Sequence, residues 1–231
     1  MQHTLKAFDA DIDGMRSTVM TMGGLVEKQV GRAVDAIEHR DLGLVSQILV
    51  DEDVVNRYHL QADLLCNRIL AKRQPLAVDL REVIGSIHTV NDLERIGDEA
   101  KKIALKARGL DDAQQRDELP FAKVRSMADS VRLMLQQALD AFVRHDTLVA
   151  ARLVERDQQI DGLRDALNAE LLERMGDDRV GIQPAMDLVF VVQSLERIGD
   201  HAKNIAEYVV NVVEGVDMRH AASNSGDDSQ P

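Results

Sequence analysis

Cysteine, proline and aromatic residues are all scarce in this sequence, and each scarcity argues against a class of protein. The single cysteine, Cys66, cannot form an internal disulfide, which argues against a small secreted domain held together by disulfides. Aromatic residues make up 3% of the 231 positions, tryptophan is absent, and only four prolines interrupt the chain. Aliphatic residues and methionine supply the apolar mass instead, and this composition favours packed helices over a β-sandwich.

Basic clusters and long apolar runs are also missing. The net charge is −12 at pH 7, and lysine and arginine are scattered rather than grouped with aromatic residues into a basic stripe, so we expect no nucleic-acid partner. No apolar run approaches the roughly 18 residues that suggest a membrane span, and residues 1–6 contain no apolar signal core. We therefore predict a cytoplasmic protein that meets a membrane only indirectly, through its partners.

The sequence does contain one six-residue stretch written twice. Residues 93–98 read Leu-Glu-Arg-Ile-Gly-Asp and recur unchanged at 195–200, which is 102 residues later. Four flanking residues recur at the same offset, namely Ala100, Lys101, Ile103 and Ala104. A self-match in register indicates an internal repeat, so the chain is predicted to be two copies of one module.

Apolar residues at helical spacing predict three helices in each module. In the first module they cover residues 4–40, then 42–72 behind a cap at Asp41, then Pro75–Arg108 with Gly109 as the stop. In the second they cover 121–144, then 147–175 behind a cap at Asp146, then 183 or 184 to 214. The predicted fold class is all-α, with two tandem, internally repeated three-helix bundles.

These helices set the predicted domain bounds. The first bundle covers residues 1–110, a polar linker 111–119, the second bundle 120–216, and a flexible tail 217–231. A glycine pair, Gly23-Gly24, falls inside the first helix and leads us to expect either the close approach of another backbone or a simple kink.

The repeated stretch carries a pair of stacked carboxylates at the edge of its apolar face. Glu94 and Asp98 are four residues apart and therefore lie one helical turn from each other, with Asn91 on the same row. Glu196, Asp200 and Gln193 repeat the arrangement in the second module. Such pairs are expected at the rim of a bundle, where a cation and water can reach them.

Polar side chains on the second helix of each bundle are expected to face these pairs. Asn56, His59 and Asp63 share one row in the first module, and Asp157, Asp161 and Asp165 flank the apolar stripe in the second. We expect Asp161 to lie close to Asp200. The candidate metal ligands are Glu94, Asp98, Glu196, Asp200, Asn91, Asp63, His59, Asp157 and Asp161.

One such pair taken alone is more commonly a solvated carboxylate edge, whose negative charge Lys101 and Lys102 neutralise. The duplication favours metal, because clustered carboxylates repel each other unless a cation neutralises them. Hard oxygen ligands suit magnesium, manganese, calcium or iron, and His59 would admit zinc. Glu27 is a weaker candidate ligand for which an ordinary surface role is favoured, and His201 is interpreted as structural.

Catalytic motifs are absent from the sequence. A di-iron oxidase needs Glu-x-x-His pairs that project into the bundle core, and no such pair occurs. Neither a phosphate-binding loop nor a nucleophile elbow is present, and the one cysteine falls on an apolar face. We therefore predict a regulatory binding protein rather than an enzyme; the alternative is a metal-dependent phosphoesterase or a metal-storage helical bundle.

The chain resembles the PhoU family from about residue 5 to 220. The resemblance rests on residues 20–27, on the segment 71–75 with Asp79-Leu80-Arg81, and on the two Leu-Glu-Arg-Ile-Gly-Asp copies, the second followed by residues 203–207. It implies paired three-helix bundles whose third helices bind multinuclear metal clusters through a Glu/Asp-x-x-x-Asp motif. That motif falls here on Glu94 with Asp98 and on Glu196 with Asp200.

The resemblance also implies a function and partners. Family members repress the phosphate regulon and restrain phosphate uptake by contacting a phosphate-sensing membrane histidine kinase and the ATPase subunit of the phosphate ABC transporter. We accordingly expect a negative regulator of phosphate homeostasis in two-component signalling, acting as a homodimer with bound divalent or trivalent metal ions. The family often has an acidic residue where this chain has His59, which implies a different occupancy or metal preference at the first cluster.

Overall fold

The structure, a computed structural model, describes residues 2–109, 118–176 and 181–215. All secondary structure in these residues is helical. The helices are α1 (Gln2–His39), α2 (Leu42–Arg73), α3 (Ala77–Lys106), α4 (Phe121–Arg144), α5 (Thr147–Arg174) and α6 (Ile182–Glu214), with a 3-10 turn, Ala107–Gly109, after α3. The predicted all-α class is confirmed. Residues 111–117 of the predicted linker and the whole predicted tail lie outside the described residues.

The turn between the first and second helices has the same structure in both bundles. Asp41 accepts hydrogen bonds from the amides of Gly43 and Leu44 at the start of α2, and Asp146 accepts one from the amide of Val149 at the start of α5. Both predicted caps are therefore present. The residue before each cap adopts a left-handed conformation, with φ of 52° at Arg40 and 53° at His145.

The repeat has two offsets. The caps Asp41 and Asp146 are 105 residues apart, and the buried residues of the first two helices follow this offset, whereas α3 and α6 follow the offset of 102 residues. The buried pairs in α2 and α5 are Val45/Ala150, Ile48/Leu153, Val55/Ile160, Ala62/Leu167 and Cys66/Leu171. Along the parts of the helices that both bundles share, positions can therefore be compared residue by residue.

A pseudo-twofold axis relates the two bundles. His88 stacks on Tyr208 with ring centroids 5.0 Å apart, and the Lys106 ammonium lies 4.5 Å from the centroid of the Phe190 ring. Phe190 is the equivalent of His88, and Lys106 is the equivalent of Tyr208, so each pair becomes the other when the bundles are exchanged. Reciprocal contacts of this kind are typical of twofold packing, and they show that α3 and α6 run antiparallel along what we call the seam.

One continuous apolar core joins the two bundles, because its buried members come from all six helices. A smaller cluster at one end of the first bundle contains Ile12, Met15, Cys66, Ile69 and Val83. The seam and the contact between α1 and α4 supply the connection between the bundles. Within the described residues, none of the helices has a stretch long and apolar enough to cross a bilayer.

The glycine pair in α1 has a different role from the one expected. A Cβ atom at Gly23 would lie 2.5 Å from Cδ1 of Leu139 in α4, whereas a Cβ atom at Gly24 would meet nothing within 4 Å. The close approach expected at this point therefore comes from a side chain of the other bundle and not from a backbone. α1 continues through both glycines as one helix.

Candidate metal centres

Glu52 of α2 faces Asp98 of α3, and Glu94 lies one helical turn before Asp98; we call these three carboxylates the first rim. Lys101 donates a hydrogen bond of 2.7 Å to Glu52 Oε1, while Glu52 Oε2 is buried without a hydrogen-bond partner. Burial raises the pKa of Glu52, and the nearby Asp98 carboxylate raises it further against the lowering effect of Lys101. The first rim thus contains mutually repelling acids, the Lys101 ammonium group and the exposed Arg95 guanidinium, which lies 3.6 Å from Glu94 and 3.9 Å from Asp98.

Four carboxylates gather where α5 faces α6, namely Asp157, Asp161, Glu196 and Asp200, and we call them the second rim. Lys203 donates a hydrogen bond of 2.6 Å to Asp157 Oδ2. Asp200 is exposed to solvent on one side, but partial desolvation by its neighbours raises its pKa, and the charges of Glu196, Asp157 and Asp161 raise it further, against a lowering effect of Lys203. The structure therefore brings Asp161 into the electrostatic neighbourhood of Asp200, as the sequence led us to expect.

An arginine from α5 occupies the outer side of the second rim. Arg164 Nη1 lies 2.5 Å from Glu196 Oε1 and 2.9 Å from Asp161 Oδ1, and Nε lies 3.0 Å from Asp165 Oδ1. The hydrogen bond with Asp165 is the largest contribution to the raised pKa of Arg164, so the guanidinium stays charged at any physiological pH. The second rim therefore has two protein cations, Arg164 and Lys203.

Equivalent residues make the lysine contacts at the two rims. Lys101 and Lys203 are equivalent residues, as are Glu52 and Asp157, and both lysine–carboxylate hydrogen bonds join the second helix of a bundle to its third. By the same equivalence His59 takes the place of Arg164. His59 therefore stands at the position of α2 that corresponds to the position of α5 from which Arg164 contacts Glu196.

His59, Asp63 and Asn91 are the remaining predicted ligands. His59 Nε2 is 3.7 Å from Asp63 Oδ2, and Asp63 lies one turn beyond His59 along α2. Asn91 is exposed on α3, one turn before Glu94. Across the three described stretches, no group of three or more histidine, cysteine, aspartate or glutamate side chains is close enough to hold a metal ion.

Several side chains have partners that differ from the sequence-based expectations. Lys101 bonds to Glu52 and Lys102 to Glu99, so neither lysine bonds directly to Glu94 or Asp98 as the solvated-edge interpretation supposed. His201 Nδ1 lies 2.7 Å from Asp92 Oδ1 across the seam.

Glu27 and Cys66 also have defined surroundings. Glu27 accepts a hydrogen bond from Arg132 of α4. Burial raises the pKa of the Cys66 thiol to about 11, so this cysteine stays protonated and is a poor metal ligand.

Sequence reasoning missed Glu52 and Arg164. Both lie on the predicted helices, but the periodicity of apolar residues gave no reason to single them out. The caps supply the missing signal, because aligning Asp41 with Asp146 pairs Glu52 with Asp157 and His59 with Arg164. The repeated motif alone aligns only the third helices.

Carboxylate oxygens, the donors of both rims, are the type that a hard cation prefers, but the side chains of each rim would have to move closer together to share one ion. Carboxylates whose mutual repulsion raises their pKa gain most from a positive charge, and Glu52 Oε2 is a buried acceptor that lacks a donor. Carboxylate oxygens are ligands that magnesium, manganese, calcium and iron accept. Lys101 and Arg95 at the first rim and Lys203 and Arg164 at the second supply positive charge, so a metal ion must compete with them.

Comparison with known proteins gives a consistent result. The model of the family described as "PhoU domain" matches residues 19–107 and 124–209. The chain is 42% identical over 220 residues to a phosphate-specific transport system accessory protein PhoU homolog of Pseudomonas aeruginosa, covering 94% of this chain and 90% of that protein. It is 35% identical over 226 residues to the Escherichia coli K12 accessory protein PhoU, covering 98% and 93%.

Solved structures agree with the sequence matches. The crystal structure of PhoU from Pseudomonas aeruginosa is similar with a TM-score of 0.85 at 41% identity, covering 90% of this chain and all of that one. The phosphate transport system regulatory protein PhoU from Streptococcus pneumoniae is similar with a TM-score of 0.83 at 28% identity, covering 91% and 98%.

Proposed function

The chain belongs to the PhoU family, and we propose that it is a metal-binding regulatory adaptor that restrains phosphate uptake. The single observation that carries this proposal is the match of the family model to both repeats, each of which contains one carboxylate rim. Its relatives are named as accessory proteins of a phosphate-specific transport system. A role in regulating phosphate transport, rather than in catalysis, follows from this membership.

The proposed metal ligands are the carboxylates of the two rims. Glu52, Glu94 and Asp98, with His59, would hold metal at the first rim. At the second rim the ligands would be Asp157, Asp161, Glu196 and Asp200. Iron, zinc, magnesium, manganese and calcium remain the candidate ions. A bound cation supplies open coordination positions that a carboxylate or phosphate group of a partner can fill.

The adaptor role requires only differential binding. A protein can switch a kinase or a transporter by binding one of its conformations more tightly than the other, because only a difference in affinity shifts an equilibrium. We propose the phosphate-sensing histidine kinase and the ATPase subunit of the phosphate ABC transporter as the partners. Both would be reached at the cytoplasmic face of the membrane, and we propose that a homodimer of this chain is the acting unit.

Charge is one reason why metal and partner binding would be linked. The chain carries a net charge of −12, and the cytoplasmic leaflet has a negative surface potential of roughly −30 mV. Cations held at both rims would lower the repulsion between the two surfaces. Binding to membrane-bound partners is therefore expected to weaken when the rims are emptied.

One set of variants tests this proposal. Replacing Glu94, Asp98, Glu196 and Asp200 together by alanine is expected to remove bound metal and repression of phosphate-starvation genes, while far-UV circular dichroism and cooperative melting persist because the rims lie outside the core. A control with four exposed carboxylates replaced, Asp9, Asp140, Glu173 and Glu214, removes the same charge away from both rims. A rim variant that binds no metal yet represses fully in phosphate-rich cells would contradict the proposal.

Partner binding and assembly have their own measurements. Pull-down from membranes with the wild-type chain is expected to recover kinase or transporter subunits, and less of them with the rim variant. Light scattering on the purified protein gives its mass in solution, and a monomer at all accessible concentrations would contradict the homodimer.

A further inference from the structure

A basic pocket lies at one end of the seam, in a protein that is otherwise strongly acidic. It has a volume of about 260 Å³, and two buried apolar residues of α3 and α6, Ile103 and Val191, contribute to its lining. The polar and aromatic residues that line it are Lys102, Lys106, Phe190, Gln193, Ser194 and Arg197. Three cationic side chains from two different helices therefore converge on one small cavity.

Two buried carboxylates hold these cations in place. Lys102 donates a hydrogen bond of 2.7 Å to Glu99, and Lys106 donates one of 2.8 Å to Asp187. Arg197 Nη1 is 3.5 Å from Glu99 Oε1, a distance too long for a strong charge-assisted hydrogen bond. Three positive charges against two negative ones leave the lining with a net charge of +1.

The anchoring carboxylate Glu99 stays charged. Burial by itself would raise the pKa of Glu99, but Lys102, Ser194 and Arg197 together hold it below its ordinary value. Glu99 therefore acts as a fixed anion beneath the cations. Each ammonium group has three N–H donors and the guanidinium has five, so most of the donors are left for a ligand.

The other end of the seam provides an internal comparison. The equivalents of Lys102 and Lys106 there are Asn204 and Tyr208, and the equivalent of Ser194 is Asp92. Asn204 and His201 both contact Asp92 Oδ1. The twofold relation would predict the same surface at both ends, yet the lysine pair is present at only one of them.

We propose that this pocket binds a small polyvalent anion of the phosphoryl class, such as orthophosphate or pyrophosphate. A planar guanidinium beside two ammonium groups suits the several oxygens of a phosphoryl group. The volume of about 260 Å³ is below the roughly 300–1,000 Å³ of pockets that enclose drug-sized ligands, which favours a small anion over a nucleotide. The pocket uses no rim carboxylate, so this site and metal binding at the rims stand or fall separately.

Titration of the metal-free protein tests the site. Protein treated with chelator and freed of phosphate is titrated with orthophosphate, pyrophosphate and ATP by calorimetry and by phosphorus NMR, at physiological ionic strength with sulfate as the competing anion. We expect saturable binding of one phosphoryl anion per chain, tighter for pyrophosphate than for orthophosphate. No saturable binding at millimolar concentrations of either anion would overturn the proposal, and preference for ATP over pyrophosphate would overturn its size limit.

Three variants separate the pocket from general charge effects. Arg197→Gln and Lys102→Gln each remove one ligand-facing cation, and in either variant Glu99 keeps its other cationic neighbour. Each is expected to weaken binding by about tenfold, the equivalent of one charge-assisted hydrogen bond. The control Lys123→Gln breaks an exposed ion pair of the same 2.7 Å length and is expected to leave binding unchanged.

The outcomes are distinguishable. Circular dichroism and melting curves establish that each variant is folded, and a phosphate-induced rise in melting temperature gives a second measure of binding. Equal affinity of the wild type and both pocket variants would overturn the proposal. Equal weakening by Lys123→Gln would assign the binding to the overall charge of the protein and would overturn it as well.

Discussion

The two rims occupy equivalent places in the repeat but differ in how the protein neutralises them. At the first rim, Lys101 bonds to Glu52, the exposed Arg95 lies 3.6 Å from Glu94 and 3.9 Å from Asp98, and His59 stands at the position equivalent to Arg164. At the second, Lys203 bonds to Asp157, and Arg164 also binds Glu196 and Asp161. An arginine is always charged and competes with a metal ion, whereas a neutral histidine can ligate one.

The comparison shows that a repeated motif does not make two repeated sites. Glu94 with Asp98 and Glu196 with Asp200 are identical in type and spacing, and Arg95 contacts the first pair only at 3.6–3.9 Å, so the main difference comes from the facing helices α2 and α5. The first rim is therefore expected to hold metal more tightly than the second, although the second has one more carboxylate.

The largest expected effect is on metal content. Glu94→Ala with Asp98→Ala is expected to lower the affinity of the first rim by at least about 100-fold, because even outer-shell substitutions at metal sites cost about 10–100-fold. Elemental analysis after reloading with metal measures it. The matching pair Glu196→Ala with Asp200→Ala is expected to remove less bound metal. An equal loss from both pairs would contradict the expectation that the first rim holds metal more tightly.

Giving the second rim the histidine that the first rim has is expected to raise the metal affinity of the second rim. Arg164→His removes a competing cation and adds a ligand, so metal affinity at the second rim is expected to rise about 10-fold, within the range of effects produced next to bound metals. Calorimetric titration of the first-rim double variant isolates this site. Arg164→Gln removes the cation without adding a ligand and is expected to give a smaller gain; a gain equal to that of Arg164→His would show that the imidazole does not bind.

The bundle interiors differ at one buried position. Gln29 is fully buried and neither amide atom has a hydrogen-bond partner, whereas its equivalent is Met134. Met134→Gln is expected to lower the free energy of unfolding by about 2 kcal/mol, since an unpaired buried polar group costs about 1–3 kcal/mol. Gln29→Met is expected to raise it by about 1 kcal/mol for the same reason.

Urea denaturation of both variants measures these changes. Met134→Leu serves as the control, because hydrophobic swaps that conserve volume usually cost under about 1.5 kcal/mol. Destabilisation by Gln29→Met would mean that the amide has a stabilising role that its surroundings do not reveal.

The repulsion at the second rim predicts a dependence on pH. Because partial desolvation and neighbouring acids raise the pKa of Asp200, its contribution to stability is fully present below the ordinary carboxyl pKa and is lost as pH rises through the folded pKa. Asp200→Asn is therefore expected to melt at a higher temperature than the wild type at pH 7 in chelator. The difference should shrink as pH falls towards 4, near the ordinary pKa.

Asp11 provides a control of opposite sign. The hydrogen bond from Arg73 lowers the pKa of Asp11, so the stability that Asp11 contributes is present above its ordinary pKa and is lost as pH falls through the folded pKa. Asp11→Asn is therefore expected to lower the melting temperature at pH 7. If Asp11→Asn and Asp200→Asn change the melting temperature in the same direction, the electrostatic explanation is wrong.

The smallest expected effect is at the glycine of each repeated motif. A Cβ atom at Gly199 would lie 3.4 Å from Ile160, an ordinary contact, whereas one at Gly97 would lie 3.3 Å from the Gln29 amide oxygen. Gly199→Ala is expected to raise the free energy of unfolding by about 0.5 kcal/mol through its helix propensity. Gly97→Ala is expected to change it little, and a larger gain at Gly97 in thermal melts would contradict this order.

Much of the fold follows from local sequence signals. The apolar periodicity, the aspartate caps and the repeat predict six helices and their order, because these features depend only on neighbours within a few turns. The close contact of the Leu139 side chain with Gly23 could not be predicted, since it depends on how α1 crosses α4. Packing between distant segments sets that crossing.

The candidate site was predictable only in part, for the same reason. Glu94, Asp98, Glu196 and Asp200 stand out because the motif repeats. Glu52 stands in an ordinary acidic stretch, Asp51-Glu52-Asp53, and its importance comes from the Asp98 and Lys101 side chains that face it from α3. Arg164 likewise resembles any exposed arginine until the register of α5 against α6 places it on Glu196.

The contact between Glu27 and Arg132 shows what joining two modules in one chain permits. These two residues are equivalents of each other, so their ion pair spans the pseudo-twofold axis. Two separate copies of either module, assembled in the same way, would set glutamate against glutamate or arginine against arginine near the axis. The fused chain behaves in this respect as a covalent heterodimer, whose halves are complementary to each other and repel copies of themselves.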